Sequence, residues 1–338
     1  MQLLKTKSIY YDDANLIAQP QNFLSRVRDV NDLWRVMVSP MSSIVGPKFA
    51  NEALDLGLSV CLHRFYDSID KRVEVLKSVF VNSKTPNIQT ERLWTAVGLK
   101  DLDNVQTLLD HGATNLIVDI ANGYLTYLPE FVEALIKNSI NKNGQTNRLK
   151  KLMIGNIHSA SMVRAYGEIS RKMSIPLYYR VGIASGSVCN TKSMTGYNRG
   201  QITEIIECVD AAESYDNLHL VADGGIANPA CAAKAFGAGA EMVMMAGYFA
   251  NSNESQNVLD KKFKFWGGAS TYQQVLTNGR ATRHSEGKEV SVCPKSTVPL
   301  ATLVSDLAGG LSSAVSYSGY ESLSQFINNG VFELKHSR

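Results

Sequence analysis

The chain of 338 residues is 44% hydrophobic and 19% charged, a composition that supplies a sizeable core and excludes disorder. Its 34 basic and 31 acidic residues leave a net charge of +3, without a basic block or an aromatic-interleaved Lys/Arg stripe, so no nucleic-acid partner is expected. No apolar run reaches the roughly 20 residues of a membrane span, and the N-terminus lacks the long apolar core of a signal peptide, which points to a cytoplasmic protein with no membrane partner.

Eight short β-branched or apolar runs recur along the chain, each ending in small or polar residues. In order they are 36–39 (VMVS), 59–63 (SVCLH), 94–99 (WTAVGL), 115–120 (NLIVDI), 152–156 (LMIGN), 178–183 (YYRVGI), 219–224 (HLVADG) and 241–246 (EMVMMA). Helical periodicity falls between them, over 49–56, 69–78, 102–111, 127–140, 159–172, 201–213 and 229–236. Strands alternating with helices at close to the roughly 30 residues of a βαβ unit predict the α/β class with a parallel sheet. Eight such units close naturally into a parallel (β/α)8 TIM barrel. A doubly wound sheet would call for a GxGxxG turn after an early strand, and the sequence has none. The polar stretch 138–148 reads as a loop rather than a linker, so residues 1–338 are expected to form a single barrel domain.

In such a barrel the site lies at the C-terminal ends of the strands, with phosphate favoured by the loops after the seventh and eighth. That singles out Asp223, Gly224 and Gly225 after the seventh strand, Ala246 and Gly247 after the eighth, and the loop from Gly182 through Ala184 and Ser187 to Cys189 and Thr191 after the sixth. Glycine lets backbone N–H groups approach an anion, but each glycine pair reads equally well as a tight βα turn that needs positive φ. The five cysteines are an odd number without metal-ligand spacing, which implies a reducing compartment and no structural zinc. Free cysteine is usually a small buried hydrophobe, and only Cys189 has a neighbourhood that argues otherwise. His63, His158 and His219 read as ordinary strand-end or core histidines.

The loop from Gly182 to Thr191, followed by Thr195, Gly196 and Gln201, resembles the Gly-x-Gly-Pro-Gly-Ser-x-Cys-x-Thr signature of the IMP dehydrogenase/GMP reductase family. Tyr11-Asp12-Asp13, Ser39-Pro40-Met41, Gly155-Asn156, Asp223-Gly224-Gly225, Glu286-Gly287 and Asp306-Leu307-Ala308-Gly309-Gly310-Leu311 extend the likeness. The features that separate the two enzymes favour the reductase. Residues 61–94 leave no room for the dehydrogenase's inserted regulatory domain, and the stretch from Gly268 to Glu286 lacks its Arg-Tyr pair. The segments from Val118 to Tyr124 and from Ser285 to Lys288 are similar to the reductase form. The chain departs from the family pattern at Ala184-Ser185 (usually Gly-Pro), Asn190 (commonly Thr), Ser42 (usually Asp) and Gly268-Ala269 (usually Met-Ser or Met-Gly beside the nucleobase).

The resemblance implies NADPH-dependent reductive deamination of GMP, or of a related guanine nucleotide, to IMP and ammonia through a covalent purine adduct. Cys189 is then the nucleophile, with Thr191 and Glu286 moving the proton. Asp223 is implied to take the ribose hydroxyls and Ser187, Gly224, Gly225, Ala246 and Gly247 the phosphate, with Arg283, Ser285 and Gly287 near the base. Asp119 and Asn156 fall on the cofactor side. Arg64 stands where it would meet a cofactor 2′-phosphate, a place that suits a solvated arginine equally. Backbone carbonyls of Gly182, Ala184 and Cys189 are implied to hold potassium, and relatives hint at a homotetramer. The alternatives are IMP oxidation with NAD+, an FMN-dependent barrel oxidase and a catalytically silent purine-nucleotide-binding barrel.

Overall fold

A computed structural model describes residues 8–22, 28, 30–81, 91–140, 148–281 and 286–335. In chain order its strands are β1 (Ala14–Leu16), β2 (Val36–Val38), β3 (Ser59–Leu62), β4 (Leu93–Val97), β5 (Asn115–Asp119), β6 (Lys151–Ile157), β7 (Leu177–Val181), β8 (Leu218–Asp223), β9 (Met242–Met245), β10 (Lys264–Trp266), β11 (Glu289–Ser291) and β12 (Phe332–Leu334). Strands β2 to β9 form a closed parallel barrel in sequence order, sealed by β2 against β9. The eight expected strands are all present with ends moved by a residue or two, and a helix lies at each of the seven expected places.

Side chains alternate along a strand, so parity decides which residues fill the barrel and which face the helices. Met37, Cys61, Trp94, Ile117, Met153, Tyr178, Val221 and Met242 form one buried cluster inside the barrel. Their neighbours Val36, Val38, Leu116, Val118, Leu220 and Ala222 belong to the larger cluster under the helices. The edge-to-face contact of Trp94 with Tyr178, centroids 5.2 Å apart, spans the interior. Two residues further toward the strand ends, the same parity reaches Asp119, Gly155, Arg180, Asp223 and Met244. The layer above an apolar plug is therefore charged.

Apart from the short helix Thr191–Thr195 after β7, the elements not read from sequence lie before β2 or after β9. The helix Leu300–Tyr317 packs on the helix Pro229–Gly237, and a Cβ at Gly310 would come within 2.5 Å of the Pro229 side chain, so the contact needs glycine. β1 pairs antiparallel with β12, and β10 with β11. Among the described residues no helix is long and apolar enough to cross a membrane.

The helix Gln201–Ala212 carries one costly burial. Glu204 is 1% exposed and neither carboxyl oxygen has a hydrogen-bond partner among the described residues. Burial pushes its pKa up to about 8, with Arg199 pulling the other way. Between the unfolded carboxylate range near 4.3 and this folded value the native state holds a proton that the unfolded state has lost. Stability attached to Glu204 is thus full below that window and is lost as pH rises through it, by on the order of a few kcal/mol. Urea melts of wild type and Glu204→Gln at pH 5 and pH 8 should show the wild type losing more across the interval. Parallel losses would assign the pH dependence elsewhere.

Candidate active site

Strand β7 ends in the loop that carries the nucleophile candidate. Cys189 is partly buried, and its thiol donates to Thr191 Oγ1 at 3.2 Å, which in turn donates to Glu286 Oε2 at 2.6 Å. The backbone holds these three in place. Asn190 N–H donates to the Glu286 carbonyl at 2.6 Å, Lys288 N–H to the Val188 carbonyl at 2.8 Å, and Gly287 bridges both Cys189 and Ser270. A Cβ on Gly287 would sit 2.6 Å from Ser270 N, so only glycine lets the two segments close on the cysteine loop.

The glycine turns expected at the late strands gather around this loop. Gly224 and Gly225 have φ of +88° and +74°, so the tight-turn reading is present in the backbone. A Cβ on Gly224 would lie 2.2 Å from Ser185 Oγ and 3.0 Å from Gly186 N, and one on Gly247 would lie 3.4 Å from Ser187 Oγ. Ser187, Gly224, Gly225 and Gly247 are therefore brought together, with Ala246 starting the turn that includes Gly247. Ser185 Oγ donates to the Asp223 carbonyl at 3.0 Å, tying the two loops. Arg283 and Ser285 lie outside the described residues.

Below the glycines sits the charged layer. Arg180, 3% exposed, reaches Asp119 Oδ1 at 3.0 Å and Asp223 Oδ2 at 3.7 Å, and donates to the Gly155 carbonyl at 3.2 Å. Asn156 Nδ2 donates to Asp223 Oδ2 and to the Gly182 carbonyl, both at 2.7 Å. Burial pushes the Asp223 carboxyl above its ordinary range, against the pull of Arg180 and the Asn156 amide. Burial also works against charge on Arg180, yet Asp119 and Asp223 together hold it in the charged form. Arg64 extends the row, its Nε 3.5 Å from Asp119 Oδ2 and its guanidinium over the Phe65 ring. It is neither deeply buried nor freely solvated, with the side chain 34% exposed. Asp119, Asn156 and Arg64 thus share one network with Asp223.

Arg180 was not singled out from the sequence. Its signal was an arginine within LYYRV, a strand otherwise apolar or aromatic, where a charge at an inward position demands partners. Ser42 and Gln273 were also missed as a pair. Gln273 Oε1 accepts from Ser42 Oγ at 2.5 Å and from Trp266 Nε1 at 3.0 Å, fixing one wall of a cavity of about 300 Å³ that Phe65 and Tyr66 also line. The Phe65 ring lies against Gly268, where a Cβ would come within 2.7 Å of it. His63, pushed down to about 3 by burial and by Arg72, is neutral, and its Nδ1 accepts the Phe65 N–H.

A closed parallel barrel whose last strands end in glycine turns beside a cysteine, a hydroxyl and a carboxylate belongs to the (β/α)8 class with a late-strand ligand site. The chain belongs to the IMP dehydrogenase/GMP reductase family, whose domain matches residues 19–337. It is 33% identical to a GMP reductase of Caenorhabditis elegans over 80% of this chain and 74% of the worm protein. It is 28% identical to GMP reductase 1 of Homo sapiens over 88% and 82% of the two chains, and 29% identical to a GMP reductase of Phytophthora infestans over 88% and 78%.

Where the family signature has glycine, Ala184 is held at φ +62°. A Cβ in the left-handed region costs about 1–2 kcal/mol, partly offset because alanine restricts the unfolded chain more than glycine does. Ala184→Gly should therefore raise stability by up to about 1 kcal/mol, and Ala184→Val should lower it by about 1–2 kcal/mol. Thermal unfolding of the three proteins checks the order Gly above Ala above Val.

Proposed function

We propose that this chain catalyses NADPH-dependent reductive deamination of GMP, or of a close guanine nucleotide, to IMP and ammonia. The observation that carries the reading is the continuous hydrogen-bonded path from the Cys189 thiol through Thr191 to Glu286. Cys189 passes its proton through the Thr191 hydroxyl to the Glu286 carboxylate, and the thiolate attacks purine C2, forming the S–C2 bond as electrons move onto the ring nitrogen. Glu286 hands a proton through the Thr191 hydroxyl to the C2 amine, which leaves as ammonia with the C–N bonding pair. NADPH supplies the hydride that reaches C2, after which the thiolate departs and IMP is released.

Around that centre Asp223 accepts the ribose hydroxyls, while Ser187, Gly224, Gly225, Ala246 and Gly247 take the phosphate. Arg283, Ser285 and Gly287 attend the base. Asp119, Asn156 and Arg64 face the nicotinamide nucleotide, and the partly exposed Arg64 side chain suits an anionic group there. Potassium would sit on the carbonyls of Gly182, Ala184 and Cys189. The first already accepts the Asn156 amide, which leaves it one lone pair for a cation. Residues 1–338 are read as one catalytic domain without a regulatory insert, acting in the cytoplasm as a homotetramer. The five unpaired cysteines and the exposed Met194 and Tyr197 beside the cysteine loop agree with that reading.

Incubation with GMP and NADPH should give loss of reduced-nicotinamide absorbance and release of ammonia in equal amounts. Turnover of IMP with NAD+ in its place would make the chain a dehydrogenase. Cys189→Ala should keep nucleotide affinity within about tenfold, since the ribose and phosphate contacts lie elsewhere, and should abolish turnover. Ammonia release by that variant would exclude the covalent path.

Glu286 separates the two halves of the reaction. Glu286→Gln keeps the shape but has no carboxylic proton, so GMP reduction should fall by roughly 10²–10⁴. The reverse half, IMP with NADP+ giving at most one NADPH per site, needs no acid at an amine and should survive much better. Rapid-mixing absorbance measures both. Equal loss of the two halves would assign Glu286 to positioning or folding.

A further inference from the structure

One guanidinium serves two carboxylates. Arg180 Nη2 is within hydrogen-bond distance of Asp119, while Nη1 stands at 3.7 Å from Asp223 and the same distance from Met244 Sδ. Its Nε has no partner among the described residues. The cation is therefore committed to Asp119 and only loosely held by Asp223, although both acids are inside the same layer. Asp119 in turn is flanked by Arg64 on its outer side. The four groups form a row of alternating charge, Arg64, Asp119, Arg180 and Asp223, that runs from the expected cofactor side to the expected ribose side.

We propose that Arg180 is a positioning residue that couples the two ligands, so that occupation of Asp223 by the nucleotide ribose strengthens cofactor binding at Asp119. The proposal rests on the ribose and cofactor assignments given above. A carboxylate that accepts two hydroxyl hydrogen bonds has less need of a shared cation. Arg180 already bonds Asp119, and a diol on Asp223 removes the residual pull that Asp223 exerts on Nη1 from 3.7 Å, leaving the whole cation to hold Asp119 opposite Arg64. Without the diol, the two acids share the Arg180 cation, with Asn156 as the further donor to Asp223 and Arg64 as the further cation beside Asp119. Linkage requires the effect to be mutual, so the cofactor must tighten the nucleotide by the same factor.

The test uses GMP with NADP+, a pair that cannot react, and calorimetric titration of the full-length protein. In wild type, saturating GMP should tighten NADP+ by a factor within the 5–150 typical of coupled sites. Arg180→Met should reduce that ratio several-fold even when each ligand still binds alone, and Arg180→Lys should restore part of it. Contact between the two ligands adds a factor that does not pass through Arg180, so the difference between wild type and variant is the readout. Because Arg180→Met strands two buried carboxylates and endangers folding, Asp119→Asn is the second variant. It removes one competitor and should also lower the ratio. A ratio in both variants within twofold of wild type, or no coupling in wild type, overturns the proposal. Failure of wild type to bind GMP at all would instead overturn the functional reading on which the proposal stands.

Discussion

A buried guanidinium above an apolar plug sets the terms for this protein. Placing Arg180 inside a closed barrel removes it from water, at a cost that only nearby acids offset. Strand parity turns Asp119 of β5 and Asp223 of β8 into the barrel, where the ladder sets Asp119 in line with Gly155 and Arg180, and Asp223 follows two residues after Val221, the partner of Arg180. The carbonyl of Gly155 and the amide of Asn156 complete the layer. Asp223 is thereby placed by the sheet itself, and no loop has to find it.

Cys189, Thr191 and Glu286 are held differently. Cys189 rides on a loop, Thr191 opens the short helix that follows it, and Glu286 comes from a segment 95 positions beyond Thr191. What joins them is a backbone seam through Val188, Asn190, Glu286, Lys288 and Gly287, with Ser270 on the far side. Such a seam fixes the heavy atoms without demanding bulk from any side chain. Rigid charge thus lies below and hydrogen-bonded loops above.

The barrel was legible because its strands are buried on both sides and read as uninterrupted apolar runs, Val36–Val38 and Met242–Met245 among them. The β10 and β11 strands were not, since three residues apiece carry no periodic signal and the partners are far apart in sequence. Cys189 stood out by its small, polar loop after the sixth barrel strand, whereas Thr191 and Glu286 took their roles only from family likeness, because nothing local distinguishes Glu286 from a solvated carboxylate. Arg180 was overlooked although its surroundings announced it. It lies within a strand, between Tyr179 and Val181, where no glycine or cysteine marks the position.

The pairing of β1 with β12 has a topological meaning. Lys335 N–H donates to the Asp13 carbonyl at 2.7 Å, and Gly330 packs on Gly237 so closely that a Cβ would come within 2.8 Å of its Cα. The first and last described strands are thus stitched to each other and to the helix Pro229–Gly237, which turns a linear chain into something near a ring. Pulling either of these strands away would therefore unseat the other, although the two lie more than 300 positions apart in the chain.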